Sequence, residues 1–495
     1  MERWLAAALD YLPRWIDYQM RLGEQPGCAL AVVYRGRLVL EQAWGHADLA
    51  RAIGLTPRHR FRVASHSKSF TAAAVLRLRE AGRIGLDDRI GRHVAGLHPE
   101  VGRATIAQLL SHSAGLVRDG VDTGQWQDRR GFLDVAEVRA GLEHGTTIEP
   151  NTRFKYSNIG FALLGMAIEA VTGEPYADWV AREIVAASGL AETLPDAPPE
   201  APPAFARGHS AKLPLGRRLV VPGENPTRAL AAATGFLSTA ADLARFYASL
   251  APNARRSVLA VESRREMTRR LWRDTQASAE RWYGLGTLSG TLGECEWFGH
   301  SGGFQGYVTR TVALPAHELA VSVLTNAADG SAHAWVDGAM HIVRGYARHG
   351  APSRTTAGWG GRWWSLWGAV DLLPAAHRVL VANPAQTDPF LDASEIEPLP
   401  AGRRARGNGG SAGAGAHGPG RLAHGRIALA TGFASHGEPS SLVRDAEGRA
   451  TEFWLAGWKL LPEARVAREL AGRYGRARRA DGRSAASARS RSSTS

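Results

Sequence analysis

The sequence predicts an α+β fold: an antiparallel sheet flanked by helices with a helical subdomain, followed by a small β-rich domain. Three observations carry this. Strand-like segments stand at both ends of the first 350 residues, and the segments between them have helical periodicity. A parallel sheet would need strands and helices in regular alternation, which this order does not give. Beyond Gly358 the texture changes to short apolar runs separated by turn residues.

Taken in order, Trp4, Leu5, Leu9, Leu12, Trp15 and Ile16 recur at helical spacing and predict an amphipathic helix over 3–20. After Pro26-Gly27, the runs Ala29 to Tyr34 and Leu38 to Trp44 flank Arg35-Gly36-Arg37 as a β-hairpin. Helices are expected over 65–80, stopping near Gly82, over 106–110, over 160–172, closed by Gly173, and over 240–250. The Pro- and Gly-rich stretch 195–226 reads as a long loop or small subdomain. Tyr283 to Leu288, Cys295 to Phe298, Tyr307 to Leu314 and Leu319 to Thr325 alternate like consecutive antiparallel strands. Past Gly358 the runs are Trp363 to Val370, Arg378 to Val381, Arg426 to Phe433 and Thr451 to Leu461. The expected organisation is a main body over 1–350 and a β-rich domain over 358–400 and 421–475. A low-complexity insert at 401–420 interrupts that domain, and a Ser/Arg tail closes the chain at 476–495. Insert and tail lack apolar residues to bury and are expected to be disordered.

With 495 residues, 44% of them hydrophobic, burying a large core is within reach. The net charge of +13 suggests nucleic acid, but the charge is unevenly placed. Residues 473–495 hold seven arginines against Asp481, and 401–420 add Arg403, Arg404 and Arg406, together nine of the thirteen charges. Neither stretch interleaves aromatics, so both read as solvated and no nucleic-acid partner is expected. Two cysteines make no disulfide framework. The opening apolar run is too short for a signal peptide and no run suits a membrane span, so a cytoplasmic location is expected.

Three elements carry chemistry. Ser65-His66-Ser67-Lys68 is a Ser-x-x-Lys at a helix start, where three-residue spacing puts hydroxyl and amine on one face. Only four of the 60 basic residues are lysines, and one stands here. A desolvated lysine can act as a base whereas a guanidinium cannot lose its proton. Tyr156-Ser157-Asn158 follows 91 residues after Ser65 and just before a helix. Tyr156 can shuttle a proton, and Asn158 can hold Lys68 or a substrate amide. Gly299-His300-Ser301-Gly302-Gly303, between two predicted strands, can free a backbone N–H for an oxyanion. Each alone has a plain reading: a surface serine near a solvated lysine, a buried tyrosine at a turn, a tight hairpin.

In this order and spacing the three resemble the β-lactamase and penicillin-binding-protein superfamily, and within it the branch of class C β-lactamases, D-aminopeptidases and serine esterases (peptidase family S12-like). Phe61 to Ala64, Thr105 to Leu116 and Ser238 to Leu243 resemble that branch too, and the likeness covers about 25–345. The resemblance implies a β-lactamase/transpeptidase-like fold with residues 1–350 as the catalytic domain. It implies Ser65 as nucleophile, Lys68 and Tyr156 as its proton carriers, and Asn158, His300 and Gly302 as substrate-binding residues. The backbone N–H groups of Ser65 and Gly303 would form the oxyanion hole. No cofactor and no metal are implied. One departure matters: His300 stands where β-lactamases carry lysine. A mostly neutral histidine reads a substrate carboxylate poorly, which points to an esterase or D-aminopeptidase-like hydrolase of small esters or amides rather than a β-lactamase or DD-carboxypeptidase.

Rival readings remain. Gly299 to Gly303 also spells Gly-x-Ser-x-Gly, with Ser301 as nucleophile and Asp337 and His341 as partners, but that elbow needs a helix after the turn and a strand is predicted. The seventeen histidines show no metal-ligand spacing, and His112 reads as a packing partner. An idle, sensor-like member would more naturally have lost Ser65, Lys68 or Tyr156.

Overall fold

The computed structural model describes every residue except 199–203, 213–215, 401–421, 432–433 and 476–495, so the expected insert and tail lie outside the described residues. The described chain forms two compact units, one of residues 20–337 and one of residues 1–19 with 338 onward.

The first unit is built on an antiparallel sheet. Its strands are β1 (Gly27–Tyr34), β2 (Arg37–Asp48), β3 (Ile53–Gly54), β4 (Trp272–Arg273), β5 (Arg281–Tyr283), β6 (Leu288–Leu292), β7 (Cys295–Phe304), β8 (Tyr307–Leu314) and β9 (Leu319–Thr325). They lie in the order β3-β2-β1-β9-β8-β7-β6-β5-β4, so the two ends of the sequence meet at the β1–β9 pair, where Leu30 faces Val323. Both strands of this pair are buried along their whole length, so β9, expected to alternate between a buried and an exposed face, is covered on both.

Helix α1 (Arg3–Leu22) opens the chain. Helix α2 (Ser67–Glu80), α3 (Asn158–Thr172) and α4 (Ala240–Leu250) supply the helical layers of the first unit. Helix α4 packs on β1, β8 and β9, and α3 packs on α2. Phe70 of α2 stacks between Phe236 and Phe246, with ring centroids 4.4 and 3.9 Å away. Thr239 caps α4, its hydroxyl accepting from Asp242 N–H, and Gly173 ends α3 in the left-handed region as expected.

Two strand boundaries differ from expectation. Tyr283 to Leu288 is not one strand: Gly284 to Thr287 turn between β5 and β6, with Gly286 at φ +70°. A Cβ at Gly286 would stand 2.6 Å from Ala72 Cβ, so the turn tucks against α2 as only glycine can. The Gly299 to Gly303 stretch is not a connection between strands either. It lies within β7, and the reversal comes later, at Gln305-Gly306. Ser301 is therefore a mid-strand residue opposite Arg310, and the strand-to-helix elbow that a Ser301 nucleophile requires is absent. Asp337 is instead an ion-pair partner of Arg310 at 3.0 Å.

The second unit contains an eight-stranded antiparallel sheet in sequence order: β10 (Gly361–Ser365), β11 (Gly368–Ala375), β12 (Arg378–Ala382), β13 (Ser394–Pro398), β14 (Leu422–Leu429), β15 (Pro439–Arg444), β16 (Ala450–Leu455) and β17 (Trp458–Leu460). Trp364 pairs with Leu461, bringing the two edges together and nearly closing a barrel around Trp363, Leu372, Val379, Ile396, Leu442 and Phe453. The expected strands 363–370 and 451–461 each break at an internal turn, at Leu366-Trp367 and Ala456-Gly457. The N-terminal residues of α1 belong to this unit. Tyr11 Oη donates to Asp371 Oδ2 at 2.9 Å, and Arg362 holds the same carboxylate through Nε at 2.7 Å.

Candidate active site

The site forms where the chain leaves a short strand and enters α2. Phe61–Arg62 pairs with Leu237–Ser238, and Val63 N–H donates to Phe236 O at 3.0 Å. Arg62 is fully buried, and its guanidinium donates to Gly223 O and Gly235 O at 2.9 and 3.1 Å, pinning the Pro-rich segment to this strand. Ala64 then adopts φ +49°, an uncommon conformation for a residue with a Cβ, directly before Ser65. A 3₁₀ turn over Ala64–His66 leads into the helix, and Ser67 Oγ locks it by donating to Ala64 O at 2.5 Å.

Two side chains converge on Ser65. Lys68 Nζ stands 3.2 Å from Ser65 Oγ, and Tyr156 Oη donates to the same oxygen at 2.7 Å. Lys68 is fully buried, and Nζ also contacts Asn158 Oδ1 at 2.6 Å and Ala233 O at 2.8 Å. The Ala233 carbonyl is aimed by a π-helical turn over Ala231–Gly235, a local irregularity of the kind that gathers at functional sites. The spacing of Tyr156 and Asn158 works because Ser157 is the N-cap of α3. Its hydroxyl accepts from Gly160 N–H at 2.9 Å, so Tyr156 lies before the helix and Asn158 begins it.

Burial sets the protonation pattern. It pushes the Lys68 ammonium well below the ordinary lysine value, opposed by the charge of Asp119 and assisted by that of Arg118. It also raises the Tyr156 phenol above its ordinary value, against the hydrogen bond to Ser65 and the Arg118 charge. Lys68 can thus lose its proton more easily than a free lysine, while Tyr156 keeps its own.

The third element borders this group from β7. His300 is only 3% exposed. Its Nδ1 lies 2.7 Å from Ser301 O and its Nε2 lies 3.1 Å from Tyr283 Oη, so the ring forms part of the wall. Burial first, then neighbouring His66, holds its pKa well below the ordinary imidazole value, and it is neutral. A Cβ at Gly302 would stand 2.2 Å from Val63 O, whereas one at Gly303 would meet nothing within 4 Å. The strand therefore lies tight against Val63, two residues before Ser65, at Gly302 and opens to free space at Gly303. Beyond the Leu288–Gly299 pair, β7 has β8 alone as its described strand partner, leaving an edge against which an extended substrate can lie. A cavity of about 480 Å³ adjoins Trp297, His300, Ser301 and Arg310, and Ser65 is not among its lining residues.

His300→Lys should not create a carboxylate site. It would bury a cation close to Lys68, and we expect a fall in melting temperature of several degrees, read by thermal unfolding. An unchanged melting temperature would contradict this.

His112, read from the sequence as a packing partner, acts as a brace. It holds φ +58°, accepts from Ser157 N–H at Nδ1 over 3.1 Å, and packs its ring 4.1 Å from that of Tyr156. Three contributors carry no sequence signal that would have singled them out: Asp119, which contacts Asn158; the Ala233 carbonyl; and Tyr283, which contacts His300. A backbone carbonyl leaves no trace in residue identity, and Asp119 and Tyr283 belong to no spaced motif.

The Beta-lactamase family model matches residues 12–341 of the chain. The chain belongs to the Beta-lactamase family. Among curated relatives, Protein flp from Staphylococcus aureus (strain MW2) is 28% identical over 172 residues, which are 33% of this chain and 34% of that protein. The chain thus aligns with about a third of the length of that relative. The octameric penicillin-binding protein homologue from Pyrococcus abyssi superposes with a TM-score of 0.60 at 20% identity, over 92% of this chain and 99% of that one. A D-stereospecific amidohydrolase from Streptomyces sp. superposes with a TM-score of 0.57 at 25% identity, over 67% and 97% of the two chains. The β-lactamase/transpeptidase fold and the C-terminal β-rich domain agree with the expected fold class. No described helix is long and apolar enough to cross a membrane.

Proposed function

We propose that this Beta-lactamase family member is a serine hydrolase that acts on small esters or amides through an acyl-enzyme on Ser65. The observation that carries the proposal is that Ser65 Oγ touches both Lys68 Nζ and Tyr156 Oη. With Lys68 neutral, Asn158 Oδ1 and Ala233 O accept its two N–H bonds, and the remaining lone pair faces the Ser65 hydroxyl. Lys68 takes the Ser65 proton as Oγ bonds to the substrate carbonyl carbon. The backbone N–H groups of Ser65 and Gly303 receive the oxyanion. Tyr156, protonated and already donating to Ser65 Oγ, passes its proton to the departing alkoxide or amine, and the Lys68 ammonium restores it. Water then attacks the acyl carbon by the reverse route and releases Ser65.

Amides are favoured among the substrates, because the superposed Streptomyces enzyme is a D-stereospecific amidohydrolase at 25% identity. The neutral, buried His300 disfavours β-lactams and other substrates that need a cation for their carboxylate. Cys28 is buried and Cys295 lies against His317, so no disulfide joins them, and we place the protein in the cytoplasm.

The test is intact mass followed by peptide mapping after brief exposure to an activated ester and, separately, a reactive penicillin. We expect an acyl adduct on Ser65, forming faster with the ester. An adduct elsewhere, or none with either reagent, would sink the proposal.

A further inference from the structure

We infer that the buried Asp119 carboxylate is a positioning group for Lys68: by accepting from Asn158 Nδ2 it fixes the side-chain amide with Oδ1 turned toward the amine. The inference rests on the mechanism above, in which Lys68 must offer its lone pair to Ser65.

An asparagine amide can turn over with little change of shape, exchanging a donor for an acceptor. The flipped form here would set Nδ2–H against the Lys68 N–H bonds and so take away one of the two acceptors that leave the lone pair facing Ser65. Asp119 opposes the flip, because its carboxylate only accepts and would then face Asn158 Oδ1. The geometry is tight: Asn158 Nδ2 lies 2.5 Å from Asp119 Oδ1, and Lys68 Nζ lies 2.6 Å from Asn158 Oδ1. Asp119 is held in turn. Trp126 Nε1 donates to the same Oδ1 at 3.0 Å, Arg118 Nε pairs with Oδ2 at 3.0 Å, and the side chain is only 8% exposed. A buried carboxylate so restrained has no freedom to find another partner for its charge.

Its charge acts on Lys68 as well, raising the lysine's proton affinity against burial. The groups facing Lys68 are Ser65 on its own turn, Tyr156 and Asn158 at the start of α3, and the Ala233 carbonyl. Asp119 and Arg118 from the loop after the 106–110 helix, His112 from the same loop, and His300 from β7 complete the electrostatic surroundings. Burial keeps both histidines neutral, so Asp119 and Arg118 are the charges that bias Lys68.

Two variants of the full chain separate orientation from charge, read by the pH dependence of p-nitrophenyl acetate hydrolysis. Asp119→Asn keeps an acceptor oxygen for Asn158 but loses the charge. The acid limb of its kcat/KM profile should move to lower pH, because Lys68 then deprotonates more easily. Asp119→Ala frees the amide, and kcat should fall by about tenfold or more with KM little changed, because Asp119 does not touch the substrate. Melting temperatures are taken alongside. If Asp119→Ala does not fold, the acid limb of Asp119→Asn decides. An unmoved acid limb in Asp119→Asn, or wild-type kcat in a folded Asp119→Ala, overturns the inference. Ser65→Ala in the same assay separates the two levels: turnover surviving that substitution defeats the proposed mechanism itself. An inactive Ser65→Ala beside Asp119 variants that match wild type defeats only the role of Asp119.

Discussion

Ser65→Ala should abolish turnover, lowering kcat by roughly four orders of magnitude or more, because members of a nucleophile–base unit act together and losing the attacking atom removes the covalent route. The fold should survive. Lys68 retains Asn158 Oδ1 and Ala233 O, Tyr156 retains its packing against His112, and Ser67 Oγ, rather than Ser65 Oγ, holds the 3₁₀ turn through Ala64 O. The measurement is steady-state hydrolysis of an activated ester, with intact mass to check for acylation and thermal unfolding to check the fold. Near wild-type turnover in a folded variant would remove Ser65 from the mechanism.

The second large effect is expected at Lys68. Lys68→Arg keeps a positive charge but cannot supply a lone pair, since a guanidinium does not deprotonate in a protein. Loss of general-base assistance should lower the acylation rate by roughly 10²- to 10⁴-fold. The pH profile is the sharper test. In the wild type, kcat/KM should rise with pH as Lys68 loses its proton, with a midpoint below the ordinary lysine value of about 10.4, because burial disfavours the ammonium. The decline at high pH should lie above the ordinary tyrosine value of about 10, because burial holds the proton on Tyr156. In Lys68→Arg the rising limb should vanish from the residual activity. A rising limb that persists unchanged would assign it to another group.

Much of the site was legible because its chemistry needs particular side chains at fixed local spacing. Ser65 and Lys68 are separated by one helical turn, and Tyr156 and Asn158 flank an N-cap, so each pair is set by local geometry. The glycines at 302 and 303 read as able to free a backbone N–H for an oxyanion, while the contact of Gly302 with Val63 O comes from the structure alone. That the stretch lies inside β7 was not legible, because glycines signal a turn by local rules, and only the register with β8 keeps the strand running through them.

Other features depend on groups far apart in sequence. Asp119 meets Asn158 across 39 residues, and Ala233 O meets Lys68 across 165. Neither contact has a period or spacing that a sequence pattern could register. The neutrality of His300 was expected from its ordinary pKa, but its burial behind Tyr283 was not, since exposure depends on what other segments pack against a residue. Likewise the amphipathic face of α1 was plain from its apolar spacing, while its pairing with Asp371 and Arg362 was not: a hydrophobic stripe requires cover without specifying its partner.

By itself, then, the sequence determined the order of strands and helices, the Ser65–Lys68 and Tyr156–Asn158 spacings from which acyl-transfer chemistry is proposed, and the absence of a cation at position 300, because these follow from local periodicity and side-chain type. The tertiary structure alone decided which oxygen each Lys68 N–H meets, which side chains are stripped of water, and where the β7 edge stays open. Those depend on long-range packing, and it is packing that desolvates Lys68 and Tyr156, weakening the hold of the one on its proton and strengthening that of the other.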